Sequence, residues 1–524
     1  MSQDCDVLIA GAGPVGLVLA CDLARRGVKA RLIDKNEGPT DLSKAIGVHA
    51  RSLELFQDLG IVDEAIKRGA AMRGALIFSG EHKLVELDLD KLDSPYPMLL
   101  DLVQGETERL LIEHLESLGG HPERNVELLS FEQDTDGVTA TLRNSSGAEE
   151  TCRAAYLVGC DGAHSTVRHA LELSFEGEAL PNNMILADVH LAWDMPPDRI
   201  IMEFAQDGLL FAAPIAGGRA RILGDIPDDV TDITLEVVQD FMNARSPVPV
   251  TVSDPVWLTT FRISERQVDR YREGRVFVAG DAAHVHSPAG GQGMNTGMQD
   301  VYNLGWKLGL AVSGRANDEL LESYNGERHP VGAQVLKETG TMLRMVNIKS
   351  IVGRVTRDTL MGLLGPRETV QKRLRLQLSQ HAINYRGSKL VADHWHHGHQ
   401  EIKAGERAPD GPLVDPQGKT TTLFETMRGT NHVLLAFAGG VGDGPVRQCA
   451  EAVAARHGDL VNAMVIDGGT GSWGDPGHAL HDRYGAREGA IFVIRPDGYV
   501  GLASHPADMA PLGDYFGRVF KAAG

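Results

Sequence analysis

Residue types able to hold a charged ligand gather in three stretches. GAGPVG, Gly11 to Gly16, is followed downstream by Asp34. VGCDGAHSTVR, Val158 to Arg168, offers Asp161, Ser165 and Arg168. RVFVAGDAAHVHSPAGGQGMNTGMQDVYNLGWKL, Arg275 to Leu308, carries Gly280 and Asp281, then His284 and His286, then Pro288, Gly290, Gly291 and Gly293. Glycine lets backbone N–H groups approach a ligand closely, and a helix start adds partial positive charge. An acidic residue delivered by a strand, with a helix start behind it, suits an anion-like ligand bearing hydroxyls. His284 and His286 are candidate general bases. Their place inside the glycine loop favours a structural role.

Each stretch needs a strand in front and a helix behind. Cys5 to Ala10 reads as a buried strand, and Leu17 to Arg26 as a helix ended by Gly27. Lys29 to Ile33 reads as a second strand that delivers Asp34. This is the βαβ dinucleotide fingerprint in its full context. Gly11 permits the tight turn, Gly13 admits a pyrophosphate to the backbone, and Gly16 lets helix and strand pack closely. Asp34 sits where it would accept from a ribose diol. Tyr156 to Val158 and Val276 to Ala279 are short apolar runs suited to strands buried on both faces. After Met294, the residues Met298, Val301, Leu304 and Leu308 recur at helical spacing.

Between these stretches, Ala45 to Leu59, Val62 to Arg68 and Glu106 to Leu118 read as helices. Ala75 to Phe78 with Leu84 to Leu89, and Val126 to Phe131 with Gly137 to Arg143, read as strand pairs. Asn183 to Leu223 is strand-like, Leu235 to Ala244 helical, and Val256 to Ile263 a strand. A sheet-rich unit is therefore expected inside a dinucleotide fold. Asp318 to Val352 reads as mostly helical, and HWHHGH, His394 to His399, as a polar hinge. A final unit follows, with strands at His432 to Ala438 and Met464 to Ile466 and a helix at Val446 to His457. A hairpin, Ala490 to Ile494 with Tyr499 to Ala503, turns at Arg495 to Gly498.

The 524-residue length allows two to four domains. A net charge of -20 argues against nucleic acid or anionic membrane as a partner. The five cysteines have neither C-x-x-C nor zinc-ligand spacing, so no metal is expected. Their scatter suggests reduced thiols. With no leader-like segment and no bilayer-length apolar run, the expected location is cytoplasmic.

Three motifs in this order resemble the single-component FAD-dependent aromatic hydroxylases, over about the first 400 residues. The tail resembles the thioredoxin-like domain of the phenol-hydroxylase and polyketide-aromatic-hydroxylase branch. The resemblance implies an α/β protein in three parts. Residues 1–75, 100–180 and 275–400 would form a Rossmann-like FAD-binding domain, with 318–400 as a helical extension. Residues 76–99 and 181–274 would form an inserted β-sheet substrate domain. Residues 401–524 would form a thioredoxin-like α/β domain lacking C-x-x-C. Only Cys449 lies in that tail, so a packing or oligomer-contact role is expected, and a homodimer stays open.

The resemblance also implies roles. Gly11, Gly13, Pro14, Val15, Gly16, Asp34 and Lys35 would hold the AMP half of FAD. Asp161 and Arg168 would lie by the pyrophosphate. Gly280 and Asp281 would meet the ribityl chain. Gly291, Gly293, Met294 and Asn295 would set N–H groups against the flavin pyrimidine edge, where a helix start stabilises negative charge by roughly 0.3–2 kcal/mol. Gln104 sits where relatives place a flavin-contacting Gln or Arg. Lys44 stands where relatives often have Arg; it keeps the charge and loses the planar fork. Lys44 and Pro288 are the catalytic candidates, the Pro288 carbonyl as acceptor from a flavin C4a-hydroperoxide. Phe78, Met202, Phe204, Leu210, Phe211 and Pro214 are candidate substrate contacts.

The implied reaction is hydroxylation of a phenolic or polyketide-derived aromatic ring by O2, with NADH or NADPH as transient reductant. The resemblance implies that the nicotinamide binds transiently, without a domain of its own. Baeyer–Villiger or epoxidising oxygenation on the same scaffold is the near alternative. A non-catalytic flavin- or ligand-binding protein is the alternative from another class.

Overall fold

The computed structural model describes residues 3–521 apart from 41–44, 46, 206–207, 216, 231, 288–289, 317, 347, 349, 397 and 440–443. The expectations for Lys44 and Pro288 therefore lie outside the described residues.

Strand β1 (Cys5–Ala10) leads through a glycine turn into helix α1 (Pro14–Arg25) and strand β2 (Ala30–Asp34). β1 is flanked in parallel by β2 and by β3 (Glu149–Gly159). β3 in turn pairs in parallel with β4 (Val276–Val278). Val7, Leu8 and Ile9 are fully buried, as are Val276, Phe277 and Val278. A parallel sheet covered on both faces demands such unbroken apolar runs. Helix α2 (Gly293–Val312) follows β4 and packs against α1.

The expected insert is a second sheet, eight-stranded among the described residues. In spatial order it runs His284–Val285, Val250–Val268, Phe175–Trp193, Arg219–Ile226, Gly208–Ile215, Arg199–Ala205, Gly74–Ser79 and His82–Asp88. Its first member and its last two lie wholly outside residues 181–274. Gly74–Ser79 arrives from the dinucleotide domain and pairs in parallel with Arg199–Ala205. His284–Val285 arrives from the glycine loop and pairs with Arg266 and Gln267. The glycine loop is thereby stitched to the insert's edge.

Several expectations need correction. Ala45 to Leu59 is not one helix. Gly47–Val48 is a strand paired with Leu100 and Asp101, and the helix is Ala50–Leu59. Pairing decided this, because Gly47 packs so tightly on Leu99 that a Cβ would lie 3.0 Å from its Cδ1. The short strand at Tyr156 to Val158 extends back to Glu149, because its polar half pairs with Val138–Arg143. Two helices, Ile351–Leu364 and Glu368–Leu378, follow Asp318–Val346.

His394 to His399 is not simply a hinge. Ala392–Trp395 is a strand parallel to Val500–His505, so the tail's sheet begins before residue 401. That mixed sheet, five-stranded among the described residues, has cores on both faces and gives the thioredoxin-like α/β form. One of those cores contains Trp306 of α2 and Leu320. The tail's packing thus reaches into the dinucleotide domain. The five cysteines are free and buried. Among the described residues no helix is long and apolar enough to cross a membrane.

Candidate active site

The three sequence motifs interlock through backbone contacts that leave no room for side chains. Gly11 has φ +103°, and a Cβ there would lie 2.3 Å from the Cys160 carbonyl oxygen. This joins the first motif to the second. A Cβ at Gly280 would lie 2.9 Å from Val15 Cγ2, and one at Gly297 would lie 2.7 Å from the same methyl. Here the starts of α1 and α2 converge on the turn after β4. The Arg168 guanidinium donates to the carbonyls of Ala282 (3.2 Å) and Ala163 (2.8 Å), joining the second motif to the third. Gly16 sits against Gly11, where a Cβ would be 1.9 Å from its carbonyl oxygen.

Gly13 differs. A Cβ there would meet no protein atom within 4 Å. The adjoining start of α1 has no side-chain cap and no acidic residue in its first turn. The start of α2, at Gln292 and Gly293, has neither as well. Backbone N–H groups at both helix starts are therefore available to an anionic or electron-rich ligand. Asp34 closes the turn from the β2 side, accepting from the N–H of Ala12 at 2.7 Å and of Asn36 at 2.8 Å, with Arg124 at 3.6 Å. Lys35 is exposed beside it. A dinucleotide fits this cradle.

The second motif is organised by Asp161. It accepts from Ser165 Oγ (2.5 Å) and from the N–H groups of Thr166 and Val167 (2.7 and 3.2 Å). Burial raises its pKa despite these bonds. Arg168 is 3% exposed and stacks on Phe175 at 4.1 Å. Its two backbone bonds make it a clamp between motifs.

In the third motif, Asp281 is exposed in a short 3-10 turn after β4. The turn is fixed from below by Asp300, a residue the motif reading passed over. Asp300 accepts from the Gly280 N–H (3.1 Å), His284 Nε2 (2.7 Å) and Arg328 Nε (2.7 Å), with all three side chains buried. His284 also stacks on Tyr271. These two contacts anchor it beneath the loop. Burial and the neighbouring His284 push the pKa of His286 down to about 4, so its ring is neutral near pH 7.

Gly290 and Gly291 take left-handed conformations, at φ +86° and +63°, that glycine alone adopts readily. Asn295 holds the loop. Its Nδ2 donates to the carbonyls of Gly47 (2.8 Å) and Gly291 (3.0 Å), and its Oδ1 accepts from the His49 N–H (2.9 Å). His49 lies 3.0 Å from the same Gly291 carbonyl through Nε2, and its Nδ1 faces the carbonyl of Leu378. Burial lowers its pKa. His49, like Asp300, carried no motif signal. Met294 packs on the core beneath the loop. Gln104 begins helix Gln104–Ser117, donating its N–H to Ala45 O (3.0 Å) and Nε2 to Glu108 Oε1 (2.9 Å).

Register divides the six candidate substrate residues between two faces of the insert. Met202 lies opposite Phe211, which is linked across the sheet to Leu223, Leu186 and Thr259. Phe204 shares this face and is covered by Arg357 at 4.9 Å. Phe78 and Leu210 lie opposite Glu203 on the other face. They belong with Val238, Phe241 and Met242 of helix Leu235–Arg245. Pro214 follows the same alternation as Leu210. Phe78, Leu210 and Pro214 are thus corrected to the helix-covered side. On the first face the next cross-strand row is Ala213, Arg221, Asp188 and Trp257. Arg221 pairs with Asp188 in a two-pronged bridge of 2.7 and 2.6 Å. Phe211, Leu223, Trp257 and Phe261 on this side are half-buried. The last three were missed because cross-strand neighbours are set by pairing, not by position in the chain.

A glycine cradle at the switch between β1 and β3 is the design of a dinucleotide-dependent oxidoreductase. Residues 4–339 match the family described as FAD binding domain, and residues 402–523 that described as aromatic-ring hydroxylase, C-terminal. The chain belongs to this family of FAD-dependent aromatic-ring hydroxylases. It is 36% identical to 6-methylpretetramide 4-monooxygenase of Streptomyces rimosus, over 94% of this chain and 90% of that protein. The anhydrotetracycline hydroxylase OxyS of Streptomyces rimosus superposes with a TM-score of 0.80 at 32% identity, over 99% of this chain and 100% of that one. Aklavinone-11 hydroxylase, solved with FAD and aklavinone, superposes at 0.76 with 25% identity, over 99% of each chain. The protein is an FAD-dependent monooxygenase, with NAD(P)H as its reductant.

Proposed function

We propose that this monooxygenase hydroxylates a multi-ring phenolic compound lying against the Met202–Phe211–Leu223–Leu186 face of the insert. The observation that carries this reading is that face. It is broad, aliphatic and aromatic, with Met202 and Leu186 buried and Phe211 and Leu223 half-buried, and is crossed by one internally neutralised Arg221–Asp188 pair. Such a surface suits flat fused rings better than a small charged ring. The full-length relatives named for tetracyclic substrates support the same class.

Bound FAD supplies the redox and oxygen-activating chemistry, taking electrons from NAD(P)H and passing one oxygen atom of O2 to the ring while the other leaves as water. This chain's residues bind, orient and exclude water. In our reading Gly11 to Gly16 and Asp34 hold the AMP half, and Asp281 accepts from the ribityl hydroxyls. The N–H groups from Gly291 to Asn295 serve the pyrimidine edge. Asn295 and His49 fix the Gly291 carbonyl, so those N–H groups are aimed before the ligand arrives. Lys44, in the place where relatives often have an Arg near flavin and nicotinamide, and Pro288, at the oxygen, keep their proposed roles. A cytoplasmic location and a homodimer complete the reading; five free thiols support the first, and sedimentation measures the second.

The test is a panel of mono- and polycyclic phenols, scored by NAD(P)H oxidation and by incorporation of 18O from labelled O2. Polycyclic phenols should stimulate turnover and gain one labelled hydroxyl on a ring carbon. Ring-expanded lactones would instead favour Baeyer–Villiger chemistry. Stimulation by single-ring phenols alone would overturn the substrate class.

A further inference from the structure

At one end of the tail domain, far in the chain from the flavin motifs, Asp467, Asp475, His478 and His481 come together. Asp467 follows strand Val461–Ile466, Asp475 and His478 border a short turn, and His481 lies in helix Ala479–Tyr484. One donor atom from each lies within 4.8 Å of the other three.

His481, 2% exposed, decides what this cluster needs. Its Nε2 lies 2.8 Å from the Ala438 carbonyl oxygen. A carbonyl only accepts, so Nε2 carries a hydrogen. In a neutral ring Nδ1 then presents a lone pair. That lone pair points at Asp475 Oδ2, 2.8 Å away, with Asp467 Oδ2 at 3.9 Å. Acceptors facing one another across such distances need a positive centre between them, either a proton on Nδ1 or a metal ion. The second imidazole favours the metal, because His478 Nδ1 is turned to the same Asp467 Oδ2 at 3.3 Å.

The carboxylates are already oriented. Asp475 accepts from the N–H groups of Leu480 (3.0 Å) and His481 (2.8 Å). Asp467 Oδ1 accepts from the Asp475 N–H (2.9 Å), which leaves Oδ2 facing the histidines. A tetrahedral ion with bonds of about 2.0–2.2 Å holds its donors roughly 3.3–3.6 Å apart. The observed separations bracket that range, and the half-exposed His478 side chain has freedom to close the widest gap. The Ala438 carbonyl is the outer partner that a ligating histidine ordinarily has.

We propose that Asp467, Asp475, His478 and His481 form a binding site for one divalent transition-metal ion of the zinc class. The ion would staple the glycine-rich loop after Ile466 to helix Ala479–Tyr484. It takes no part in the flavin chemistry.

The test uses FAD-loaded full-length enzyme, stripped with a chelator and dialysed against zinc, with metal counted by mass spectrometry. One zinc per chain should be retained. His478→Ala and Asp467→Asn change partly exposed ligands and should each weaken retention by at least about tenfold. His399→Ala, at an exposed histidine paired with Glu401, should leave it unchanged. X-ray absorption at the zinc edge should show two imidazole ligands. No zinc retained by the wild type, or equal retention in both ligand variants, would overturn the site.

Discussion

Replacing Asp300 by Asn tests whether the flavin turn is held electrostatically from beneath. Burial by itself would raise the Asp300 pKa, yet the Arg328 guanidinium and His284 outweigh it and hold the carboxyl below its usual range. The carboxylate serves three donors, Gly280 N–H, His284 and Arg328, in a buried site. An amide cannot. With its oxygen toward Gly280 and His284, its NH2 group confronts Arg328 Nε. Flipped, it confronts the Gly280 N–H and His284. Arg328 retains only the Thr296 carbonyl at 3.0 Å and the Tyr385 hydroxyl at 3.1 Å, both neutral.

Breaking one partner of a buried pair costs about 3–5 kcal/mol. Gly280 leads directly into Asp281, so part of that cost falls on the FAD-binding conformation. If about 2 kcal/mol does, the apparent Kd for FAD rises about thirtyfold. The assay is titration of apoprotein with FAD, followed by flavin fluorescence, beside thermal unfolding. Arg328→Gln in the same chain removes the stranded charge, so the double variant should recover roughly 1–3 kcal/mol relative to the sum of the single losses. Unchanged FAD affinity and stability in Asp300→Asn, or strict additivity in the double variant, would refute the argument.

Two glycines should separate folding from cofactor binding. Gly13→Ala, whose Cβ meets no protein atom, should leave apoprotein stability unchanged and weaken FAD binding, whereas Gly11→Ala should destabilise the apoprotein by about 1–3 kcal/mol, both read by melting and FAD titration. Asp281→Ala should release FAD from a folded protein, read as flavin content after gel filtration. Glu203 is buried, with one oxygen accepting from the Gly80 N–H at 2.6 Å and the other without a partner among the described residues. Burial raises its pKa to about 7. Its contribution is most favourable below the unfolded carboxyl pKa and is lost as pH rises through about 7. Glu203→Gln should therefore gain stability over the wild type between roughly pH 4.5 and 7, by about 3 kcal/mol at the plateau. A flat difference across that range in denaturant melts would contradict the burial argument.

The strand–turn–helix units were legible in the chain because local rules govern them. Glycine at a φ of +103°, an apolar run before it and an acid after the next strand are each set within a few residues. The expectations that failed depend on partners distant in sequence. Gly47 and Val48 became a strand because Leu100 and Asp101 lay beside them. Phe78 and Met202 look equally suited to a pocket, yet strand pairing puts them on opposite faces. Asp300, His49 and Arg328 sit in helices or at their edges, where a polar residue reads as a solvated face. Only the fold turns them inward. The absence of zinc-type cysteine spacing likewise said nothing about two aspartates and two histidines gathered by a loop.

The tail illustrates the same dependence at the scale of domains. Its Arg495–Gly498 turn looks like an ordinary hairpin end. In the structure Arg495 is 2% exposed and bridges Glu327 at 2.7 and 2.9 Å. Asp497 accepts from Asn303 and Trp306 of α2 at 3.2 and 3.3 Å, and the Tyr302 hydroxyl donates to the Pro496 carbonyl at 3.2 Å. Lys307 completes the cluster through Glu327 at 2.8 Å. Pro496 and Asp497 thus grip α2 directly, and Arg495 reaches it through Glu327 and Lys307. A packing role for the tail therefore has a specific object, the position of α2. Asp497→Asn keeps the shape but weakens the hold on Arg495, Asn303 and Trp306, a loss of about 1–3 kcal/mol. If α2 transmits that loss, flavin affinity should fall along with the tail's melting temperature. A variant whose tail melts early while FAD binding is unchanged would show that the cluster holds the tail to the helix without setting the helix's place.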